Sequence, residues 1–179
     1  MNPEVELWDE DEEGNPRSWT PEPTGMQQYL WRTHLEDLNS VKKLVNGAPI
    51  VLGHHGDACH GDKYPQHLVS TRRADQIRIA VANFAPWLAL PNVQALRMVQ
   101  GTSAHGFSEG TAEMLITDQI RMMHPSLDTK TVRHNLLNVG GVRIDCAHHG
   151  PGTGIREWTD GNQLFFAAIT TALPGRRCG

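Results

Sequence analysis

Hydrophobic residues recur at every third or fourth position in three stretches of the chain, and this spacing predicts three amphipathic helices. The first helix is predicted over residues 26–45, with Gly47 as its C-terminal stop. The second covers residues 71–90, where Pro86 is expected to kink the helix or end it early because proline lacks the N–H of a helical hydrogen bond. The third is predicted over residues 108–123.

Shorter apolar runs lie between and after these helices and predict β-strands. Two glycines at 140–141 separate the last two runs and are a typical signal for a tight hairpin turn. A loop is predicted over residues 124–130, and a weaker helix over residues 160–172. The four predicted strands cover residues 49–52, 93–99, 132–139 and 142–147. This alternation predicts an α/β fold, in which a sheet with helical crossovers is extended by antiparallel strands.

The first 25 residues differ in composition from the rest of the chain. Residues 9–13 form an unbroken acidic run, and Pro16, Pro21 and Pro23 disfavour a regular helix. We therefore expect a solvated surface arm with few contacts to the core. The expected division of the 179-residue chain is an acidic arm over 1–25, one domain over 26–173 and a tail over 174–179.

Composition narrows the classes of function. Hydrophobic residues make up 39% of the chain, yet no apolar run approaches the roughly 18 residues that a membrane span requires, so no membrane association is expected. A net charge of −4 argues against a protein that binds nucleic acid mainly by electrostatic attraction. Three cysteines are too few for a disulfide framework, which indicates a reducing compartment and predicts a cytoplasmic location.

The candidate chemistry lies in three turns that each follow a predicted strand and contain or adjoin a glycine. Active sites of open α/β sheets form from the loops beyond the carboxyl ends of the strands. We therefore expect Asp57, His105 and His148 to line one pocket. Imidazole and carboxylate groups are suitable ligands for divalent zinc, manganese or iron. The three turns cover residues 54–60, 102–105 and 148–149.

Each of these side chains also has a purely structural interpretation. Asp57 can close an Asx-turn, and Cys59 and Cys146 can be buried inert thiols rather than soft zinc ligands. His148 and His149 are adjacent and would point in opposite directions in an extended chain, so only one of them readily faces a given site. The histidines with a plainer interpretation as strand-end or loop residues are His54, His55, His60 and His67.

The order of the three turns resembles the motif order of the calcineurin-like metallophosphoesterase family. Residues 56–61 (GDACHG) are similar to the G-D-x-x-x-G motif of that family. Residues 101–105 (GTSAH) are similar to the next motif in the G-T-x-A-H form of phage-type members, and residues 147–150 (AHHG) are similar to the motif after it. The resemblance covers roughly residues 27–165, which is most of the chain.

Two motifs of the family have no counterpart in this sequence. No D-x-H precedes Asp57, and no G-H-x-H follows residue 172. In the G-T-x-A-H element, residues 102–104 replace the usual metal-binding asparagine. We therefore expect a fold that is incomplete at both ends, with exposed sheet edges that a partner or a second copy would cover.

The resemblance implies two mixed β-sheets packed face to face and flanked by helices, with two divalent ions (Mn, Fe or Zn) that assist hydrolysis of a phosphoester. Carried onto this sequence, Asp57 would bridge the two ions and His148 would ligate one of them. His105 would stabilise the phosphate or protonate the leaving oxygen.

The implied function is that of a metal-dependent phosphomonoesterase or phosphodiesterase. Its substrates could include nucleotides and nucleic acid, and for a phage-encoded protein its location would be the host cytoplasm. The alternative function is that of a truncated, catalytically impaired homologue, which would act as a metal-binding or partner-binding module.

Overall fold

A computed structural model describes residues 1–107 and 112–148 of the chain. Within these ranges the chain forms three α-helices, seven β-strands and a short 3₁₀ helix over Pro65–His67. The elements in chain order are β1 Leu7–Glu10, β2 Pro16–Trp19, α1 Gly25–Val45, β3 Ile50–His54, α2 Arg73–Leu88, β4 Val93–Val99, α3 Ala112–Met123, β5 Asp128–Val132, β6 His134–Val139 and β7 Val142–Ala147. His149, the weak helix predicted over 160–172 and the tail over 174–179 lie outside the described residues.

The centre of the fold is a parallel sheet with the strand order β3-β4-β5. Helix α2 connects β3 to β4, and helix α3 connects β4 to β5, because neighbouring parallel strands need a long crossover. Residues 95–99 of β4 pair with residues 128–132 of β5, and His54 at the end of β3 pairs with Met98. The carboxyl ends of β3 and β4 therefore lie side by side at one edge of the sheet.

Both crossover helices pack on the same face of this sheet and form the main core. Leu96 and Met98 alternate along β4, so both point to this face, and both are fully buried. They pack in one cluster with Ile116 and Ile120 of α3 and with Ile77 of α2. The prediction that β4 covers residues 93–99 is confirmed.

Helix α1 forms as predicted but is weakly packed. Its first turn is a capping box, in which the Thr24 side chain accepts the Gln27 N–H and the Gln27 side chain accepts the Thr24 N–H. Asn46 takes the left-handed conformation that ends the helix. No residue of α1 is buried, and Met26 and Leu30 are 66% and 55% exposed. The apolar stripe predicted from the sequence is therefore present, but it covers little of the core.

The expectation that residues 1–25 make few core contacts is wrong. Strands β1 and β2 form an antiparallel hairpin, in which Leu7 is fully buried, and Val5, two residues before the hairpin, is 5% exposed. Arg72, next to the start of α2, donates hydrogen bonds to the backbone of β1 and to the Asp9 carboxylate. The acidic run dominated the sequence pattern. The buried residues Val5 and Leu7, which precede that run, alternate with exposed residues, as in a half-buried strand.

Pro86, which was expected to kink α2 or end it early, lies inside the helix two residues before its end at Leu88. A proline leaves the carbonyl of the residue four positions earlier without its helical donor. Here that carbonyl belongs to Ala82, and the side-chain amide of Asn2 donates to it at 2.9 Å. The backbone N–H of Asn2 also donates to the Asn83 side chain at 2.8 Å. The N-terminal segment therefore satisfies the hydrogen bond that proline removes.

After helix α3, the structure contradicts part of a predicted loop and confirms a predicted hairpin. The predicted loop over 124–130 is wrong from Asp128 onward, where β5 begins with polar residues, among which Thr129 is buried. The hairpin of β6 and β7 is confirmed. Gly140 and Gly141 both have positive φ, at 59° and 85°, which suits the tight turns that match the twist of a hairpin.

The described part of the chain is therefore a mixed α/β structure with three sheets. Among the described residues, β3 and β5 each pair with β4 alone and are the edge strands of the parallel sheet. Across residues 1–107 and 112–148, the helices lack the combination of length and apolar character that is needed to cross a membrane.

Candidate functional site

Three loops meet beyond the carboxyl end of the parallel sheet. The first follows β3 and carries Asp57, the second follows β4 and carries His105, and His148 directly follows β7. The structure brings the three side chains together. The Nε2 atom of His148 lies 3.1 Å from Oδ2 of Asp57, and Nε2 of His105 lies 3.9 Å from the same oxygen.

The other carboxylate oxygen of Asp57 is held by Thr102. The backbone N–H of Thr102 donates to Oδ1 at 2.7 Å, and its hydroxyl donates to the same atom at 3.1 Å. Asp57 itself has a positive φ of 55°, which is uncommon for a residue other than glycine and is found mainly in turns and functional loops. The carboxylate is therefore fixed through Oδ1, while Oδ2 faces the two imidazoles.

Two glycines allow the loops to approach this closely. A Cβ atom on Gly101 would lie 2.4 Å from both the backbone nitrogen and Oδ1 of Asp57. A Cβ atom on Gly56 would lie 2.7 Å from Nδ1 of His148, and its φ of 90° also favours glycine. Glycine is needed at both positions because the backbone of one loop touches the functional group of another.

Buried side chains of the two crossover helices hold the loop that carries Asp57. Glu113 of α3 is 1% exposed, and its Oε1 accepts the N–H of Ala58 at 3.1 Å. Gln76 of α2 is 6% exposed, and its side-chain amide both accepts from the N–H and donates to the carbonyl of Gly61, each at 3.0 Å. The same helices that build the core therefore fix the loop at two points.

The hydrogen bonds of His148 constrain where its ring carries a proton. Nδ1 is in hydrogen-bond contact with the backbone carbonyl of His55. Since a carbonyl oxygen only accepts, Nδ1 must be the protonated donor. A neutral ring would then direct the lone pair of Nε2 toward the Asp57 carboxylate, which also only accepts. A proton on Nε2 or a cation shared by the two groups removes this conflict.

His105 is placed by a tight turn. Its backbone N–H donates to the carbonyl of Thr102 at 3.1 Å, which folds the side chain back toward Asp57. Nδ1 of His105 is buried and has no hydrogen-bond partner among the described residues. The rings of His105 and His60 meet edge-to-face, with their centroids 5.8 Å apart. His105 therefore lies beside the Asp57–His148 pair rather than within hydrogen-bond distance of it.

Electrostatic surroundings favour a charged Asp57 and a neutral His54. Burial acts to raise the pKa of Asp57, but the two hydrogen bonds from Thr102 and the nearby imidazoles of His105 and His148 outweigh it, so the pKa is lowered. For His54, burial lowers the pKa, and the carboxylate of Glu113 only partly opposes this effect. A permanently ionised carboxylate is the state required of a metal ligand.

Three other candidate residues, Cys59, His54 and His67, lie in environments that fit a structural role. Burial, together with the nearby Glu113 carboxylate, raises the pKa of the Cys59 thiol to about 12, so this residue fits the inert interpretation rather than that of a zinc ligand. His54 packs edge-on against Phe84 and accepts the N–H of Gly56 on Nδ1 at 3.3 Å. His67 lies in the short 3₁₀ helix.

The donor set at Asp57 suits part of the coordination shell of one divalent ion. A carboxylate oxygen and an imidazole nitrogen are in direct contact, and the second ring nitrogen of His148 contacts a backbone carbonyl, as in many metal-binding histidines. Within residues 1–107 and 112–148, however, no group of three or more His, Cys, Asp and Glu side chains is arranged to hold a metal ion. The described residues thus offer two paired donors, with His105 at their side.

No protein-family model, curated protein or solved structure matches this chain. The resemblance to metallophosphoesterases therefore stays a prediction that rests on the sequence motifs. The geometry adds one independent observation, which is that the three motif-bearing turns meet around a single carboxylate.

The sequence did not single out three residues that shape the site. Thr102 was noted only as a departure from the family motif, yet it supplies both hydrogen bonds to Asp57. Glu113 and Gln76 are a charged and an amide side chain on the buried faces of amphipathic helices, where apolar residues are usual. Their polar character on an otherwise buried helix face was the available signal, but which loop they reach depends on the tertiary fold.

Proposed function

We propose that this protein is a metal-dependent phosphoester hydrolase of the calcineurin-like type, in which Asp57 and His148 bind a divalent ion. The observation that carries the proposal is the direct contact between Oδ2 of Asp57 and a ring nitrogen of His148 whose other nitrogen contacts the His55 carbonyl. A cation shared by the two groups would remove the conflict between two acceptors. Metal-binding histidines commonly donate their other ring N–H to a backbone carbonyl, as His148 does here.

The metal would supply Lewis acidity and lower the pKa of a bound water toward 7, which is the chemistry that phosphoester hydrolysis needs. The residues of the chain supply the remaining functions. Thr102 holds the carboxylate in one orientation through Oδ1, which would leave Oδ2 to bind the ion. Asp57 has a lowered pKa and stays ionised at neutral pH.

His105 suits the role of a group that contacts the phosphate or the leaving oxygen. It lies within 3.9 Å of Asp57 without a hydrogen bond to it, and its ring is half-buried. An imidazole can donate a hydrogen bond to a phosphate oxygen or transfer a proton to the leaving oxygen near neutral pH. The full family fold, with two sheets packed face to face, and a cytoplasmic location are parts of the same proposal.

The test is hydrolysis of an aryl phosphoester by the purified chain with added Mn²⁺. We expect turnover by the wild type and its loss, by at least about 100-fold in kcat, in Asp57→Asn and His148→Ala. Asp62→Asn is the matched control, since Asp62 is an exposed carboxylate in the same loop that pairs with Arg73 instead.

Two results would contradict the proposal. Equal activity in Asp57→Asn and Asp62→Asn would show that the turnover does not use this site. Binding of Mn²⁺ at Asp57 without any turnover would instead support the alternative function, that of a metal-binding or partner-binding module.

A further inference from the structure

A cavity of about 480 Å³ lies beneath helix α1, next to the loop that carries Asp57. Leu52 and Leu96 of the parallel sheet form its floor, and residues of α1 and α2 form its walls. His54 and Ala58, which lie on either side of Asp57 in sequence, also line it. The cavity therefore adjoins the loop that carries Asp57, and its volume lies within the range typical of pockets for small organic ligands.

The walls of this cavity are unusually rich in rings. His34 stacks on Trp31 with centroids 5.1 Å apart and an interplanar angle of 23°. The ring of Trp87 meets His34 edge-on at 5.7 Å, and the ring of Phe84 meets His54 edge-on at 5.3 Å. Flat aromatic groups pack favourably against such surfaces by stacking and by edge-to-face contacts.

Two imidazole rings contribute hydrogen-bond donors to residues that line the cavity. The Nε1–H of Trp87 donates to Nε2 of His34 at 3.0 Å, so a neutral His34 carries its proton on Nδ1. His54 accepts the Gly56 N–H on Nδ1, so its neutral ring carries the proton on Nε2. Two imidazole N–H groups therefore belong to rings that line a largely apolar cavity, and such groups can bind the acceptor nitrogens of a heterocycle.

From these observations we infer that the cavity binds a planar aromatic group joined to phosphate, so that the ring lies under α1 and the phosphate reaches Asp57. The inference rests on the proposed function and specifies its substrate class. The aromatic group can be a nucleobase or a simple aryl ring, which share the stacking chemistry but differ in ring acceptors.

The first experiment needs no metal and no phosphate. Binding of adenosine and of 1-naphthol is measured by calorimetry in the presence of a chelator. We expect both to bind the wild type, and Trp31→Ala to weaken binding at least fivefold, whereas Trp31→Phe retains it. Tyr29→Ala is the matched control, because Tyr29 lies on the same helix, is 54% exposed and does not line the cavity. Tighter binding of adenosine would identify a nucleobase, and tighter binding of 1-naphthol would identify an aryl group.

The second experiment compares hydrolysis of adenosine monophosphate, 1-naphthyl phosphate and glycerol phosphate with Mn²⁺. We expect kcat/KM for the better aromatic substrate to exceed that for glycerol phosphate at least tenfold. Trp31→Ala should remove this preference, whereas the control Tyr29→Ala should keep both the preference and the glycerol phosphate rate. Turnover with no aromatic preference, or no binding of either ring compound, overturns the inference while the proposed function stands. Aromatic binding without turnover of any phosphoester supports the ring site and overturns the proposed function.

Discussion

The two carboxylate oxygens of Asp57 serve different purposes. Oδ1 is held by the backbone and hydroxyl of Thr102, and Oδ2 contacts the ring of His148. The sequence could identify Asp57, His105 and His148 because each follows an apolar strand in a turn that contains or adjoins a glycine. It could not identify the hydrogen bonds of Thr102, since these depend on the distance between two loops that are 45 residues apart.

The hydroxyl of Thr102 is expected to orient Asp57 for metal binding. Thr102→Val removes the hydroxyl but keeps the backbone N–H bond and the side-chain volume. Loss of a group that orients a metal ligand typically lowers metal affinity by about 10-fold or more. Calorimetric titration with Mn²⁺ should show this loss in Thr102→Val and near-normal affinity in Thr102→Ser. Ser103→Ala is the control, because Ser103 has an exposed hydroxyl in the same turn. Equal Mn²⁺ affinity in all variants would refute the orienting role of the Thr102 hydroxyl.

Burial of the Cys59 thiol predicts a dependence of stability on alkaline pH. Its pKa is raised from 9.0 to about 12 in the folded chain, so between these values the unfolded state loses a proton that the folded state keeps. Stability from this group is therefore complete below about pH 9 and falls as pH rises, by up to about 1.4 kcal/mol per pH unit. Urea unfolding between pH 8 and 10.5 measures the slope, and Cys59→Ala should show a shallower one. Identical slopes in the two proteins would count against this prediction.

At the scale of elements, helix positions and the main strands follow from local patterns. The bounds of α1 and β4 were predictable because apolar periodicity and glycine or cap signals agree there. The hairpin of β1 and β2 and the polar strand β5 were not predicted. Charged and hydroxyl side chains interrupt the apolar pattern in these strands. They become strands because of pairing partners that are distant in sequence or because of one or two buried side chains such as Leu7.

The hairpin of β1 and β2 is expected to be a stabilising part of the fold. Leu7→Ala removes a fully buried side chain, which should lower the free energy of unfolding by about 3 kcal/mol. For a chain of this size, that corresponds to a fall in Tm of about 6–12 °C. Trp8→Ala is the control, because Trp8 is the next residue and its side chain is 43% exposed. Thermal unfolding of a chain without residues 1–20 should show a comparable or larger fall, and an unchanged Tm would restore the idea of a solvated arm.

The link between α2 and the Asp57 loop gives a prediction for Gln76. Gln76→Ala leaves the buried N–H and carbonyl of Gly61 without their partner, which should cost about 3 kcal/mol of stability. Gly61 also packs closely on the backbone of Ala104 and His105, so the same change should loosen the turn that places His105. Denaturant unfolding of Gln76→Ala beside the exposed control Gln66→Ala measures the first effect. Equal stability of the two variants would contradict it.

For the molecule as a whole, a small parallel sheet with two helices on one face and a separate hairpin place three loops around one carboxylate. The α/β class was predictable from the alternation of helix and strand patterns, because each element carries its own periodicity. Periodicity could not predict that His148, which follows the hairpin of β6 and β7, lies beside the end of β3. This placement depends on the contact of His148 with the His55 backbone and on the absence of a Cβ atom at Gly56.

The central claim is that Asp57 and His148 share a divalent cation. Calorimetric titration of the metal-free chain with Mn²⁺ tests it most directly, with the wild type, Asp57→Asn, His148→Ala and the control Asp62→Asn measured side by side. We predict binding at this site in the wild type and the control, weakened at least about 100-fold in each of the other two variants. The same affinity in all four proteins, or no binding by the wild type, would contradict the account.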